Sequence, residues 1–317
     1  MRKRILVIGF GNMGCRHVQS LLSAGEKFEI HVVEPMIENV RINSQRIGAI
    51  EGDFVLYNSM NELKMEFDLA IVATSASPRF RIVDFLLKYG VKYFLLEKIV
   101  FQTNFQFHQI ISSLERYKAQ AYCNFVNRYI DGYNYVKNLL ALNPKPIRMI
   151  VQGGDFGLAC NAIHYIDLFQ YITNSKEAVI SDSKIQLSEQ SNKRGGEYRE
   201  FTGSIAFANE RKDELYITAD NGSSSGVVIT IEWHDQIFSF SEQTQKSIHF
   251  DGGKINSSDF TILPTSKLTA RIVDEIFINS CRLTQNKETA FAHSELFHLF
   301  NKVLSGTTDD DLICPIT

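Results

Sequence analysis

The stretch Ile5-Leu6-Val7-Ile8-Gly9-Phe10-Gly11-Asn12-Met13-Gly14 decides the fold of this chain. Its four apolar residues are typical of a buried strand, and the glycines after them open a predicted helix. Three glycines with the spacing GxGxxG bind a dinucleotide when they connect a strand to a helix. Gly9 permits a tight turn, Gly11 lets the backbone approach a diphosphate, and Gly14 lets the helix pack closely on the strand. Residues 9–14 are therefore predicted to hold a dinucleotide cofactor.

An acidic residue follows the next predicted strand at the position that such a cofactor requires. Residues 30–33 are apolar or strand-forming, and Glu34 comes twenty residues after Gly14. A carboxylate at this position can accept hydrogen bonds from the hydroxyls of the adenine ribose, and it would repel a 2′-phosphate. Pro35 and Met36 follow it, with no arginine directly after the strand. The sequence therefore favours NAD over NADP, while a solvent-exposed strand end remains the alternative for Glu34.

Short apolar runs alternate with helix-like segments through the first third of the chain. The apolar runs are residues 5–8, 30–33, 69–73, 93–96 and 121–126, and the helix-like segments are residues 15–23, 82–89 and 105–117. Continuous apolar strands separated by helices are typical of a parallel sheet that is covered on both faces. We therefore predict a doubly wound α/β domain of the Rossmann type, with NAD bound to it, over residues 1–122.

The pattern changes after residue 122. Four strand-like runs follow one another without long helices between them, at residues 201–208, 214–219, 227–233 and 236–240. Asn221-Gly222 and Asp251-Gly252 are turn signals. Runs of strands without helical crossovers are typical of an antiparallel sheet. We therefore predict a second, α+β domain over residues 123–317, with an open and mainly antiparallel sheet.

Composition and charge exclude several classes of function. A chain of 317 residues is long enough for two domains, and a net charge of -3 gives no basic field for nucleic acid or a membrane surface. No apolar run approaches the roughly 20 residues of a membrane span. The five cysteines form no CxxC pair, and His293 and His298 lack the i,i+4 spacing of a helical metal pair. We therefore expect a cytoplasmic protein without a metal site.

The order of these motifs resembles the glucose-fructose oxidoreductase, inositol dehydrogenase and MocA (Gfo/Idh/MocA) family. In that family an "ATP…H" stretch lies beside the cofactor, and an "EKP" stretch carries an active-site lysine. The corresponding stretches are residues 73–79 (ATSASPR) and Glu97-Lys98-Ile99, so Arg79 replaces the frequent histidine and Ile99 the usual proline. The resemblance implies four cofactor-binding residues here: Thr74, Ser75, Glu97 and Lys98.

The second domain also resembles this family. Asn127-Arg128-Tyr129 is similar to the "NRRF" stretch that opens the family's second domain. Residues 157–168 are similar to a stretch written "G…D.G.H.ID", whose histidine corresponds to His164 and whose second aspartate corresponds to Asp167. The first aspartate of that stretch is replaced by Cys160. The resemblance thus extends over most of the chain, with one departure in the second-domain motif.

The resemblance implies hydride transfer between a nicotinamide and a hydroxyl-bearing carbon of a sugar, nucleotide sugar or cyclitol. His164 is then the expected general base and Lys98 its partner at the same oxygen, although these roles can be reversed. Asn161 either binds substrate or caps a helix over residues 162–171, and we expect Asp167 to make a structural bond to the backbone or to a loop. The implied substrate-binding residues are Lys98, Cys160, Asn161 and His164. The family also implies a homo-oligomer, a dimer or tetramer, formed through the second-domain sheet.

Two other functions remain open. The departures at Arg79, Ile99 and Cys160 are compatible with a protein that binds NAD without turnover and acts as a sensor or partner. Alternatively, an enzyme of this kind could hold NAD tightly and recycle it during epimerisation or elimination of a sugar. The sequence identifies neither the substrate nor the direction of the reaction.

Overall fold

The computed structural model describes residues 2–188 and 196–317. The chain forms two compact units. The first unit consists of Met1–Phe101, Phe105–Asn124 and Leu263–Lys287. The second unit consists of Gln102–Asn104, Phe125–Ile262 and Glu288–Thr317.

A six-stranded parallel sheet forms the centre of the first unit. Its strands are β1 (Lys3–Ile8), β2 (Phe28–Val33), β3 (Val55–Tyr57), β4 (Leu69–Val72), β5 (Tyr93–Leu96) and β6 (Gln120–Cys123). The helices between them are α1 (Asn12–Ser23), α2 (Ile37–Ile47), α3 (Ala76–Tyr89) and α4 (Asn104–Tyr117). The strand order is β3-β2-β1-β4-β5-β6, and every pairing is parallel. This order confirms the predicted doubly wound sheet. Strands β1 to β3 follow one another towards one edge of the sheet and β4 to β6 towards the other, so the strand order reverses between β1 and β4. Open α/β sheets bind ligands at this point, beyond the carboxyl ends of their strands.

An eight-stranded sheet forms the second unit. After a short 3-10 helix (Val126–Tyr129) come α5 (Asp131–Leu142), β7 (Ile147–Gly153), α6 (Leu158–Thr173), β8 (Val179–Leu187), β9 (Phe201–Ala208) and β10 (Glu214–Ala219). Four further strands follow: β11 (Val228–Trp233), β12 (Gln236–Ser241), β13 (Lys246–Asp251) and β14 (Lys254–Asp259). The strand order is β14-β13-β12-β11-β7-β10-β9-β8. Within the described residues of this second sheet, only β7 and β10 pair in parallel, which confirms an open, mainly antiparallel sheet.

The two faces of this second sheet differ. Alternation along β12 buries Phe238 and Phe240 on one face and leaves Ile237 partly exposed on the other. Ile237 pairs with Phe250 of β13, which is also partly exposed, so apolar side chains reach the open face. Association of subunits through this sheet stays a prediction.

The last two helices are α7 (Thr265–Phe277) and α8 (Asn286–Ser305). The α7 segment belongs to the first unit, although the sequence analysis assigned it to the second domain. His17 of α1 contacts Thr269 of α7 through Nδ1 and Oγ1 at 2.8 Å, and the Ala270 amide donates to Ser20 Oγ at 3.0 Å. Leu268, Ile272, Val273 and Ile276 form the buried stripe of α7. A stripe of this kind predicts a helix, but it does not indicate which unit the helix joins.

None of the helices in the described part of the chain combines the length and the apolar character needed to cross a bilayer.

Candidate active site

The glycine loop joins β1 to α1, and its three glycines differ in the space around them. Gly9 has φ of 89°, and a Cβ on it would lie 3.1 Å from Thr74 Cγ2. A Cβ on Gly14 would lie 1.9 Å from the carbonyl oxygen of Gly9, which leaves no room for a side chain. A Cβ on Gly11 would meet no other described atom within 4 Å. Two glycines are therefore required by packing, while Gly11 borders open space.

The open space beside Gly11 lies at the N-terminus of α1, because Gly11 is the residue that caps this helix. The amides of the first turn, from Asn12 and Met13 onward, have no carbonyl four residues earlier within the helix to bond to. They and the positive end of the helix dipole favour an anion. Phe10 is fully buried and its ring packs on Phe54 at 5.3 Å, so its side chain does not face the open space. These residues fit the diphosphate of a dinucleotide.

Glu34 lies directly after β2, beside the glycine loop. Its Oε2 accepts a hydrogen bond from the Phe10 amide at 2.8 Å, and its Oε1 accepts from the Met36 amide at 3.0 Å. The carboxylate therefore ties the end of β2 to the loop, a structural role that the sequence analysis missed. The contact joins residues 24 positions apart, so no local pattern could indicate it. Its predicted contact with ribose hydroxyls stays a prediction.

Thr74 and Ser75 follow β4, the strand next to β1. Because neighbouring parallel strands end at the same edge of the sheet, these residues lie beside the glycine loop. The close approach of Thr74 to Gly9 is direct evidence of this arrangement. Thr74 Oγ1 donates to the carbonyl of Ser75 at 3.1 Å, and Ser75 is the N-cap residue of α3. The structure thus brings two of the predicted cofactor-binding residues to the predicted loop.

Lys98 follows β5 at the same edge of the first sheet. It is buried, and its peptide bond to Ile99 is cis although Ile99 is not a proline. Arg79 of α3 is fully buried and uses one nitrogen, Nη1, to donate to the carbonyls of Glu97, at 2.6 Å, and of Ile99. Its Nη2 donates to the carbonyl of Thr74. One guanidinium therefore holds the backbone on both sides of Lys98 and joins it to the loop after β4.

The histidine that Arg79 replaces could not make this set of contacts. A guanidinium presents five N–H donors in a planar fork, whereas an imidazole offers at most two. The sequence analysis recorded Arg79 only as a departure from the family's motif. Its acceptors are main-chain carbonyls, which carry no sequence signal of their own.

Glu97 is at the centre of a buried polar network in the first unit. Its Oε1 bonds to His17 Nε2 at 3.0 Å and accepts from Asn124 Nδ2 at 2.7 Å. Burial alone would raise the pKa of Glu97, but the bonds from His17 and Asn124 and the charges of His17 and Arg79 outweigh it and lower the pKa to about 2. The ionised carboxylate therefore links α1 to the ends of β5 and β6. Its predicted contact with the cofactor stays a prediction.

Helix α6 of the second unit begins earlier than predicted. Gly157, with φ of 81°, caps the helix, which starts at Leu158. Glu200 supplies an acceptor for this end, since its Oε2 accepts from the Ala159 amide at 3.0 Å. Acidic side chains stabilise a helix N-terminus. The sequence analysis missed Glu200 because it lies 41 residues away from the amide that it binds.

Cys160 and Asn161 lie in the first turn of α6. Asn161 Nδ2 donates to the carbonyl of Phe156 at 2.6 Å, so the expectation that it caps a helix over residues 162–171 is wrong. Cys160 Sγ lies 3.7 Å from the carbonyl of Gly157. Both side chains thus contact the backbone just before the helix. Their binding of substrate stays a prediction.

His164 lies one turn further along α6, with its ring edge-to-face against Phe125 at 5.5 Å between centroids. Asp167 is buried and forms a two-pronged ion pair with Arg128, whose Nε and Nη2 lie 2.9 and 2.7 Å from the two carboxylate oxygens. Asp167 therefore makes a structural bond, but with the side chain of Arg128, whereas we expected the backbone or a loop as its partner. Lys98 belongs to the first unit and His164 to the second, and their joint action stays a prediction.

Glu242 is a polar residue that the sequence analysis did not single out. It follows β12, where alternation places its side chain on the same face as Phe240. Burial raises the pKa of Glu242 to about 7. Burial also raises the pKa values of the Tyr133 and Tyr165 phenols, and the charge of Glu242 raises them further. Among the described residues, Tyr133 Oη has no hydrogen-bond partner. Val228 pairs with Ser241, the residue before Glu242, and with Gln152 near the end of β7. Glu242 therefore lies at the end of the second sheet where β7 leads into α6.

The comparisons with known proteins agree with this geometry. Residues 3–125 match a family described as an oxidoreductase family with an NAD-binding Rossmann fold. No curated protein sequence matches the chain. Several solved structures share the fold of both units at low sequence identity.

Three of these structures cover nearly the whole chain. An oxidoreductase from Agrobacterium radiobacter in complex with NAD+, L-tartaric acid and magnesium has a TM-score of 0.76, 12% identity and 98% coverage of each chain. A super-repressor mutant of Gal80p from Saccharomyces cerevisiae has a TM-score of 0.74, 14% identity and 97% coverage of each chain. UDP-N-acetylglucosamine 3-dehydrogenase from Acidithiobacillus ferrooxidans has a TM-score of 0.72 and 13% identity, with 97% of this chain and 98% of that one covered.

These structural likenesses establish the fold, and the sequence match adds a similarity to a family over residues 3–125. The matched residues include the glycine loop, Glu34 and the stretch with Lys98. Over residues 3–125, the chain thus matches the Gfo/Idh/MocA oxidoreductase family, which is described as having an NAD-binding Rossmann fold.

Proposed function

We propose that this protein is an NAD-dependent oxidoreductase that transfers a hydride between the nicotinamide and a hydroxyl-bearing carbon of a sugar, nucleotide sugar or cyclitol. The observation that carries the proposal is the glycine loop. Contact with the Gly9 carbonyl leaves no room for a side chain at position 14, while Gly11 borders open space. Glu34 beside the loop favours NAD, because a carboxylate repels the 2′-phosphate of NADP. The family match and the Agrobacterium structure with NAD+ support the proposal.

The residues of this chain would bind and orient the substrate and move its proton. The nicotinamide, when bound, supplies the acceptor or donor of the hydride. Lys98 donates a hydrogen bond to the substrate oxygen and stabilises negative charge that develops there. His164 takes the hydroxyl proton during oxidation and returns it during reduction. The opposite assignment of these two roles is open to the same experiments.

Calorimetry with the cofactor-free protein tests the first half of the proposal. We expect NAD+ to bind, and NADP+ to bind more weakly because of Glu34. Failure of both dinucleotides to bind would contradict the proposed function as a whole. This measurement needs no knowledge of the substrate.

Turnover tests the second half. Purified protein is mixed with NAD+ and a panel of nucleotide sugars, free sugars and cyclitols, and the absorbance of the reduced cofactor is followed. With a substrate found in this way, we expect Lys98→Ala and His164→Ala each to lower kcat by roughly 10²- to 10⁴-fold while the Kd of NAD+ is unchanged. Lys88→Ala is the control, because Lys88 is an exposed residue of α3 that pairs with Asp84. Full activity of the Lys98 variant would remove this residue from the mechanism.

A second function is favoured by Cys160, which stands where the family's motif has an aspartate. A thiol is a weak hydrogen-bond donor and cannot orient a histidine as a carboxylate does. The chain would then bind NAD without turnover and act as a sensor or partner protein. The fold shared with a Gal80p super-repressor mutant is compatible with this alternative. Tight binding of NAD+ with no reduction across the whole panel would support it. Copurified NAD that never exchanges would instead indicate an enzyme that recycles its cofactor.

A further inference from the structure

One face of α2 contacts the predicted cofactor loop at successive points. Asn39, Asn43 and Arg46 follow one another at intervals of four and three residues, so they lie on the same side of the helix. Asn39 Nδ2 donates to Glu34 Oε1 at 3.3 Å, and Asn43 Nδ2 donates to the carbonyl of Phe10 at 2.7 Å. The third residue, Arg46, donates from Nη1 to the side-chain oxygen of Asn12. We call these three residues the α2 polar face.

The three members of the α2 polar face differ in exposure. Asn43 is buried, so its bond to the loop carbonyl is part of the fold. Arg46 is exposed, and its guanidinium carries five donors, of which the bond to Asn12 uses one nitrogen. A purely structural contact to an asparagine oxygen does not require a positive charge. The chemistry of Arg46 therefore exceeds what this contact needs.

The charge of Arg46 also reaches the first turn of α1. Burial raises the pKa of the Cys15 thiol, and the charges of Arg16 and Arg46 and a side-chain hydrogen bond with Arg46 oppose this shift. Arg46 therefore lies against the same helix end whose amides fit a diphosphate. The loop sequence GFGNMG itself contains no basic residue, and Arg46 brings a cation to it from α2.

We propose that Arg46 binds a phosphate group on the adenosine half of the dinucleotide, with Asn12 holding its guanidinium in place. The inference rests on the proposed function and adds to it a residue outside the glycine motif. A guanidinium binds phosphate oxygens through two parallel, charge-assisted hydrogen bonds. The phosphate belongs either to the diphosphate, which NAD and NADP share, or to the 2′-position, which only NADP has.

Calorimetry with NAD+ and NADP+ tests this inference on the cofactor-free wild-type protein and on the variants Arg46→Met, Arg46→Lys and Arg41→Met. Arg46→Met should weaken binding about tenfold, and Arg46→Lys less, because lysine keeps the charge but loses the planar fork. Arg41→Met is the matched control. Arg41 lies on the same helix and pairs with Glu38 through two bonds of 3.0 and 2.6 Å, away from the loop, so its variant should bind as the wild type does. Thermal unfolding of each variant checks that its fold is unchanged.

The outcomes separate the two phosphate sources and the two proposals. Equal weakening for both dinucleotides assigns Arg46 to the diphosphate, and weakening for NADP+ alone assigns it to the 2′-phosphate. In either case the affinity of the Arg46→Met variant should fall less steeply with salt than that of the wild type, which a purely structural role would not produce. If the variant binds both dinucleotides as the wild type does, the inference is wrong and the proposed function stands. If the wild type binds neither, both are wrong.

Discussion

The glycine loop at residues 9–14 and the start of α6 at residues 157–167 were both predicted from motifs. They differ in whether the backbone or the side chains determine which residues fit. In the loop, the backbone itself requires the residues, because Gly14 contacts the Gly9 carbonyl and Gly9 has a positive φ. At α6 the position of a family aspartate holds Cys160, whose thiol lies against the preceding turn. A site set by backbone geometry can be recognised from sequence alone. A site set by side-chain contacts depends on partners that the sequence does not reveal.

The strongest test of this contrast compares two glycines of the same loop. Gly14→Ala would push a Cβ to 1.9 Å from the Gly9 carbonyl oxygen, so we expect it to lower the free energy of unfolding by about 4 kcal/mol or more. Gly11→Ala should change stability by less than about 0.5 kcal/mol, because Gly11 has φ of -73° and borders open space. Gly11→Ala should also weaken the binding of NAD+ at least about tenfold, because the added methyl group occupies the space for the diphosphate. Urea denaturation and calorimetry measure the two effects. Equal stability of the two variants would contradict the steric argument.

Replacing Arg79 tests whether the loss of a buried side chain can lower stability as much as a steric clash in the backbone does. Arg79→Met removes a buried guanidinium from the carbonyls of Thr74, Glu97 and Ile99, which would then lack these bonds. We expect the free energy of unfolding to fall by about 3 kcal/mol in urea denaturation. Arg81→Met, at an exposed position of the same helix, is the control and should have little effect. A fully stable Arg79→Met variant would show that the loop around Lys98 does not need this clamp.

The ion pair of Asp167 with Arg128 is a buried side-chain contact of the second unit, and its contribution to stability can be measured in the same way. Asp167→Asn leaves Arg128 with one acceptor oxygen in place of a carboxylate, and we expect a loss of about 2 kcal/mol in urea denaturation. The Kd of NAD+ should be unchanged. Asp259→Asn, at the exposed pair with Lys246, is the control and should leave stability unaltered. A changed pH profile of turnover with unchanged stability would instead mean that Asp167 acts through His164.

Glu242 gives the smallest expected effect and the only one that depends on pH. Burial raises its pKa from 4.5 to about 7, so the folded protein holds this proton more tightly than the unfolded chain does. Its ionisation therefore lowers the free energy of unfolding as the pH rises from about 4.5 through about 7. Glu242→Gln stays neutral and should be more stable than the wild type by roughly 1–2 kcal/mol above pH 7, with no gain near pH 4. Thermal unfolding across this range measures the difference, and a constant difference at all pH values would contradict the assignment.

The sequence predicted those parts of the fold whose signal is local. Apolar runs indicated five strands of the first sheet and the strands β9 to β12 of the second, and the GxGxxG spacing indicated the cofactor loop. Helix α2 was not predicted because its only buried residue is the polar Asn43, so it has no apolar stripe. Arg79 and Glu200 bind main-chain groups far away in the sequence, and such contacts leave no pattern in residue type. The missed features of the candidate site are therefore long-range side-chain contacts.

The return of α7 to the first unit bears on how the chain matures during translation. The first unit needs residues 263–287, which the ribosome makes after the whole of residues 125–262. At roughly 5–20 residues per second, this delay is on the order of ten seconds. Throughout it, the nascent N-terminal sheet already carries α1, while the side of α1 that holds His17 and Ser20 still lacks its cover. We therefore expect this side of α1 to stay exposed to solvent until residues 263–287 have left the ribosome.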